Sequence, residues 1–255
     1  MNVSLFVTCL ADTFYPRSAI AVVKVLEHFG CEVDFPQTQT CCGQPLYNNG
    51  FHDDASALAR RMIDVFEQSK HVVTPSGSCA AMVRDYYEPL LAGDPAYADA
   101  CRRFVGRVYE FVEYLTGVLE VDVAALDIDW KRHVTYHFAC HLRGLGVNPQ
   151  ASATESILEK IGGLTYTRAE KLEQCCGFGG TFAMKYPEIS GSMVRDKVRC
   201  LQGTGADTVV SNDAGCTMNI SGMCRREGVP MQFVHIAEVL AEGLGLMPAA
   251  ASEPA

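Results

Sequence analysis

Apolar and polar positions along this chain follow two periods that alternate. Val3-Ser4-Leu5-Phe6-Val7 and Val134-Thr135-Tyr136-His137-Phe138 are short β-rich runs bounded by polar residues, which predicts strands. Helical spacing follows each, over residues 18–29 and 153–161, and each stretch is closed by a glycine, Gly30 and Gly162. Short strand candidates come next at 31–35 and 164–167, then helices around 53–68 and 187–201, then third strands at 71–74 and 207–211. Both series close on amphipathic segments, 108–115 and 233–240. Strands alternating with helices imply βαβ units with right-handed crossovers. The fold class expected is therefore α/β, with two repeats related by a pseudo-twofold axis, each a small, mostly parallel sheet flanked by helices. The repeats are expected at 1–122 and 131–247, joined near 117–131, with a disordered tail at 248–255, PAAASEPA.

The cysteines repeat with the same period. Cys9, the pair Cys41-Cys42 and Cys79 recur in order as Cys140, the pair Cys175-Cys176 and Cys216, at offsets of 131, 134 and 137 residues. Each pair is followed by a glycine, Gly43 or Gly177, and the growing offset reads as small loop insertions in a duplicated unit. Every one of these cysteines follows a predicted strand. In an open parallel sheet such loops converge at the carboxyl edge, which brings four thiols together per repeat.

Composition limits what those thiols serve. The 255 residues carry a formal net charge of −9 with no basic stripe, which argues against nucleic acid and anionic membranes as partners. No apolar run approaches the roughly 18–20 residues of a transmembrane segment. The opening MNVSLFVTCLAD lacks a basic start and is cut by Asp12, so a cytoplasmic protein is expected. Twelve cysteines in a reducing compartment point to metal binding or redox chemistry rather than disulfides. Adjacent cysteines do not easily reach one small ion, yet they can reach different irons of a cluster, so iron–sulfur ligation fits best. Zinc at one repeat is the alternative.

Other residues carry blander readings beside sharper ones. Cys31, Cys101, Cys200 and Cys224 stand outside the repeat and are expected to be small buried hydrophobes. His137 and His141 flank Cys140, where His137 is either a tuning residue or a satisfied structural histidine. Cys140 with His141 is a nucleophile reading that leaves the repeat unexplained. Gly177-Phe178-Gly179-Gly180 does not fit a dinucleotide fingerprint and is expected to let backbone N–H groups approach sulfur.

The longer phrases resemble a known family. Gln39-Thr40-Cys41-Cys42-Gly43-Gln44-Pro45, Pro75-Ser76-Gly77-Ser78-Cys79, Cys175-Cys176-Gly177-Phe178-Gly179-Gly180-Thr181-Phe182 and Gly215-Cys216-Thr217-Met218-Asn219-Ile220 are similar to the cysteine-rich domain of heterodisulfide reductases and of related iron–sulfur oxidoreductases. Within that group they resemble the small iron–sulfur subunits of bacterial L-lactate-oxidising systems. The resemblance implies cluster ligands at Cys9, Cys41, Cys42, Cys79, Cys140, Cys175, Cys176 and Cys216, with one or two clusters per chain. It also implies electron transfer during oxidation of L-lactate to pyruvate, with two partner subunits: a ferredoxin-like iron–sulfur protein and a third small subunit. The fullest family pattern ends in C-x-x-C, whereas this chain has Met82 and Asn219 at the last positions. A four-thiolate 4Fe–4S cluster is thus expected rather than a five-cysteine one. Two alternatives stand: a heterodisulfide- or quinone-linked reductase subunit, and a glycolate-oxidase-type iron–sulfur subunit.

Overall fold

In the computed structural model, which describes residues 1–250, two four-stranded sheets repeat one topology. β1 (Asn2–Leu5), β2 (Glu32–Asp34), β3 (Val72–Thr74) and β4 (Val108–Glu110) lie in the order β2-β1-β3-β4. β5 (His133–His137), β6 (Thr165–Tyr166), β7 (Thr208–Ser211) and β8 (Gln232–His235) lie in the order β6-β5-β7-β8. Every pairing is parallel, with Ser4 opposite Asp34 and Val72 opposite Val108 in the first sheet, and His137 opposite Ser211 in the second. The expected α/β fold of two parallel sheets flanked by helices is what the chain forms. The central strands are buried almost throughout, the Val-rich pattern of sheets covered on both faces.

Strand order reverses between β1 and β3, and between β5 and β7. The crevice beyond the carboxyl ends at such a switch point is where open α/β sheets bind ligands.

The amphipathic segments at 108–115 and 233–240 prove to be a fourth strand running straight into a helix. Glu110 ends β4 and caps the helix that follows, accepting from the Val112 and Glu113 N–H groups. His235 ends β8 and accepts from the Ala237 N–H. Capping side chains at these two positions satisfy the first free N–H groups, so strand converts to helix without a loop.

Packing joins the repeats. One buried cluster includes Val22, Val25 and Leu26 of the first repeat with Ile236, Val239 and Leu240 of the second. The contacts are reciprocal: the helix after β1 packs on the helix after β8, and the helix after β5 packs on the helix after β4. Arg17 bridges the first of these junctions to Glu238 at 3.1 Å and Glu242 at 2.7 Å. The stretch between the repeats is packed as well. Val123, Ile128 and Trp130 are buried, and the Trp130 indole donates to Glu242 at 2.9 Å. Of the tail expected to be disordered, the Pro248 carbonyl accepts from Arg17 and the Ala250 N–H donates to Glu242. Residues 251–255 lie outside the described residues.

Candidate metal centre

The segments after β1, β2 and β3 carry Cys9, Cys41-Cys42 and Cys79, with Cys9 opening one short helix and Cys79 inside another, and local chemistry fixes each one. Gln39 clamps the second loop to the end of the first strand, accepting from the Val7 N–H at 2.8 Å and donating to the Leu5 carbonyl at 3.0 Å. Gly43 has φ +88° and Gly177 +79°, so the chain turns sharply after each cysteine pair in a backbone region that favours glycine. A Cβ on Gly177 would also come within 3.0 Å of the Ser190 carbonyl oxygen. Cys79 and Cys216 sit in the first turns of helices capped three residues earlier, by Ser76 accepting from the Cys79 N–H and by Asp213 accepting from the Gly215 and Cys216 N–H groups.

Neighbouring cysteines point to different partners. Cys41 Sγ lies 3.7 Å from Cys9 Sγ, while Cys42 Sγ lies 3.3 Å from Cys79 Sγ. In the second repeat Cys175 Sγ is 4.0 Å from Cys140 Sγ, and Cys176 Sγ is 3.2 Å from Cys216 Sγ. The inner thiols Cys42, Cys79, Cys176 and Cys216 are buried, whereas Cys9, Cys41, Cys140 and Cys175 reach solvent. All eight line one cleft of about 700 Å³ between the two sheets, part of it open to solvent. None forms a disulfide.

Crowded thiols cannot all ionise. Hydrogen bonds from Cys42 and Cys9 hold the Cys41 thiol down to about 3, and those from Cys140 and Cys176 hold Cys175 down to about 2. Donating those bonds pushes Cys9, Cys42, Cys140 and Cys176 up, and burial adds to each. Each set thus tolerates about one thiolate alone, and a fully ionised set needs a cation among the sulfurs. Four soft donors within hydrogen-bonding reach in pairs fit an iron–sulfur group or a thiophilic ion.

The surroundings include groups that sequence reasoning weighed lightly or missed. The Gly177 N–H donates to Cys175 Sγ at 3.4 Å, the role expected of the glycine-rich segment. His137 is no satisfied structural histidine: it is fully buried, and neither ring nitrogen has a partner among the described residues. His141 Nε2 lies 3.3 Å from the Gln44 amide nitrogen and its Nδ1 lies 3.7 Å from Cys140 Sγ. Met82 is buried in the core, and Asn219 donates to the Cys176 carbonyl at 2.8 Å, so a structural role replaces the fifth cysteine at each position. Tyr87 holds the Cys42 carbonyl in the same way at 2.9 Å. Cys31, Cys101 and Cys224 are buried as expected, but Cys200 is only half-buried. The cap residues carried a signal in the sequence, a Ser or Asp three places before the fourth cysteine of each repeat.

The two caps also meet. Ser76 Oγ donates to Asp213 Oδ2 at 3.0 Å, and the Ser78 N–H donates to the same oxygen at 3.1 Å. Around this contact the bonds are reciprocal. Asn212 Nδ2 donates to Glu110 at 3.3 Å, and His235 Nε2 donates to the Pro75 carbonyl at 3.0 Å. Burial pushes Glu110 up to about 7 and draws His235 down to about 4.

A duplicated α/β frame with Cys…Cys-Cys-Gly…Cys at the switch point of each sheet is the mark of a protein class. The family model described as "Cysteine-rich domain" matches residues 3–84 and 134–221, and the chain belongs to that family as a two-repeat member. Within it, the relatives are named consistently. "Lactate utilization protein A" of Halalkalibacterium halodurans is 45% identical over 94% of this chain and 96% of its own. "Lactate utilization protein A 2" of Bacillus cereus is 41% identical over 96% and 99%. The Bacillus licheniformis protein of the first name is 44% identical over 94% and 99%. Among solved structures, a hypothetical protein from Helicobacter pylori superposes with a TM-score of 0.67 at 9% identity, covering 96% of this chain and 49% of that one, a likeness of fold alone.

Proposed function

We propose that this chain is an iron–sulfur subunit that passes electrons during the oxidation of L-lactate to pyruvate. The observation that carries the reading is the gathering of two four-thiol sets in one cleft. The named relatives supply the substrate, since proteins 41–45% identical over nearly the whole chain are called lactate utilization proteins. Cys9, Cys41, Cys42 and Cys79 would hold one 4Fe–4S cluster, and Cys140, Cys175, Cys176 and Cys216 a second. When bound, such a group supplies one-electron transfer. The protein's own part is to bring the donors together from separate loops, to shield the inner thiols and to leave the outer ones at the cleft mouth. Met82 and Asn219 occupy the positions of the fifth cysteine, which favours electron transfer over direct reduction of a disulfide. Two further subunits, one a ferredoxin-like iron–sulfur protein, would complete the path in the cytoplasm. Among the described residues no helix is long and apolar enough to cross a membrane.

Anaerobic purification with iron and sulfide quantification tests the cluster, and lactate-dependent reduction of the complex rebuilt with its partner subunits tests the role. Iron and sulfide in equal amounts, bleached by lactate, is the expected result. Stoichiometric zinc without sulfide would sink the reading.

A further inference from the structure

The two repeats part company at one buried position. His137 stands three residues before Cys140 as Phe6 stands three before Cys9, and both are fully buried. Phe6 packs edge-on against Phe66, with ring centroids 5.9 Å apart. His137 brings two polar nitrogens into an equivalent place, and both are without a partner among the described residues. One ring nitrogen lies within 4.8 Å of Cys176 Sγ and Cys216 Sγ. Leaving such a group unpaired is costly, and the first repeat shows that a phenyl ring fits the equivalent place without that cost. An unmet buried donor beside two thiols points to a ligand. A tetrahedral ion with thiolate and imidazole bonds needs its donors roughly 3.5–3.8 Å apart, which a small adjustment of this trio provides. Imidazole also serves in place of thiolate on an iron of a cluster.

We propose that His137 is an imidazole ligand to the metal held by the second repeat. The second centre is then mixed thiolate–imidazole, and the first, with Phe6, is thiolate only. This rests on the metal-binding reading above and goes beyond it by making the two centres chemically unequal.

The test uses the full chain, loaded anaerobically with iron and sulfide, reduced, and studied by pulsed electron paramagnetic resonance. With histidine at natural abundance and then labelled with nitrogen-15, the wild-type chain should show a directly bonded histidine nitrogen whose coupling changes with the label. His137→Phe should lose that coupling, and its second-repeat metal should be released to a chelator at least about 10-fold more readily. The metal-free variant should melt no lower than wild type, because Phe6 already fills the equivalent place. Iron-loaded wild type without a bonded histidine nitrogen, or a coupling that survives in His137→Phe, would overturn the ligand while leaving the clusters standing. A chain that takes up no metal overturns the metal reading and the ligand with it. The labelled wild-type spectrum decides the matter even if the variant folds poorly.

Discussion

The inner thiols of both repeats join buried hydrophobic clusters, but the second repeat adds buried polar groups behind them. Cys42 and Cys79 sit in a buried cluster with Phe6, Met62, Met82 and Tyr87. Around Cys176 and Cys216 lie His137, Asn219 and the fully buried Lys197, whose ammonium donates to the Leu172 carbonyl at 3.0 Å. Burial lowers the Lys197 pKa, and the nearby thiols Cys200, Cys176, Cys216 and Cys175 oppose that. The duplication therefore keeps the donors and the strand order and changes the dielectric surroundings. Two donor sets built on the same four-cysteine pattern therefore sit in different surroundings.

The largest effect should come from breaking one donor set at a time. Cys42→Ser or Cys176→Ser is expected to lower bound iron by about half, read by iron quantification on anaerobically prepared chain. Complete loss from either variant would mean one shared group and would erase the contrast between repeats.

Next in size is the pair of titrating caps. Glu110 has an ordinary value of 4.5 and a folded value of about 7, so its contribution is complete below pH 4.5 and is lost as pH rises through about 7. His235 has an ordinary value of 6.5 and a folded value of about 4, so its contribution is complete above 6.5 and is lost as pH falls through about 4. Denaturant unfolding of the metal-free chain should show Glu110→Gln removing a fall in stability of about 3 kcal/mol between pH 4.5 and about 7. An unchanged slope across that window would show that Glu110 does not titrate there.

A smaller shift should follow Lys197→Met. Removing a buried positive charge should lower the potential of the second centre by on the order of tens of millivolts and leave the first unmoved, as read in a spectroscopic redox titration. Equal movement of both would deny that the repeats are electrostatically separate. The smallest effect belongs to Cys101→Ala and Cys224→Ala, which should leave iron content unchanged and cost about 1 kcal/mol in unfolding experiments.

Much of this frame is legible in the sequence, because strand and helix periods are local. The strand at 3–7 is displaced by a residue or two from Asn2–Leu5, and the helix at 187–201 nearly coincides with Pro187–Gln202. The cysteine repeat placed each thiol shortly after a strand, but only the Cys-Cys pairs lie in loops, while Cys9, Cys79, Cys140 and Cys216 lie in helical turns. What escaped was whatever depends on the second repeat being seated on the first. Segment 108–115 reads as one amphipathic stretch although Glu110 divides it through local caps on the Val112 and Glu113 N–H groups, while the bond of Glu110 to Asn212 comes from far along the chain. His137 looks like any strand histidine until Cys216 is brought beside it from far along the chain. No local pattern encodes the fold-driven meeting of two loops.

The contact of Ser76 with Asp213 says something about history. In a dimer of identical subunits, the residue on the twofold axis faces a copy of itself. Two aspartates there would repel one another, and two serines would cap their helices with no anion to gather the neighbouring N–H groups. Joining the copies in one chain frees the paired positions to diverge. One copy has become the donor and the other the acceptor, and the same holds for Glu110 and His235. The junction between the repeats is thus written in complementary letters, and neither half could form it with a second copy of itself.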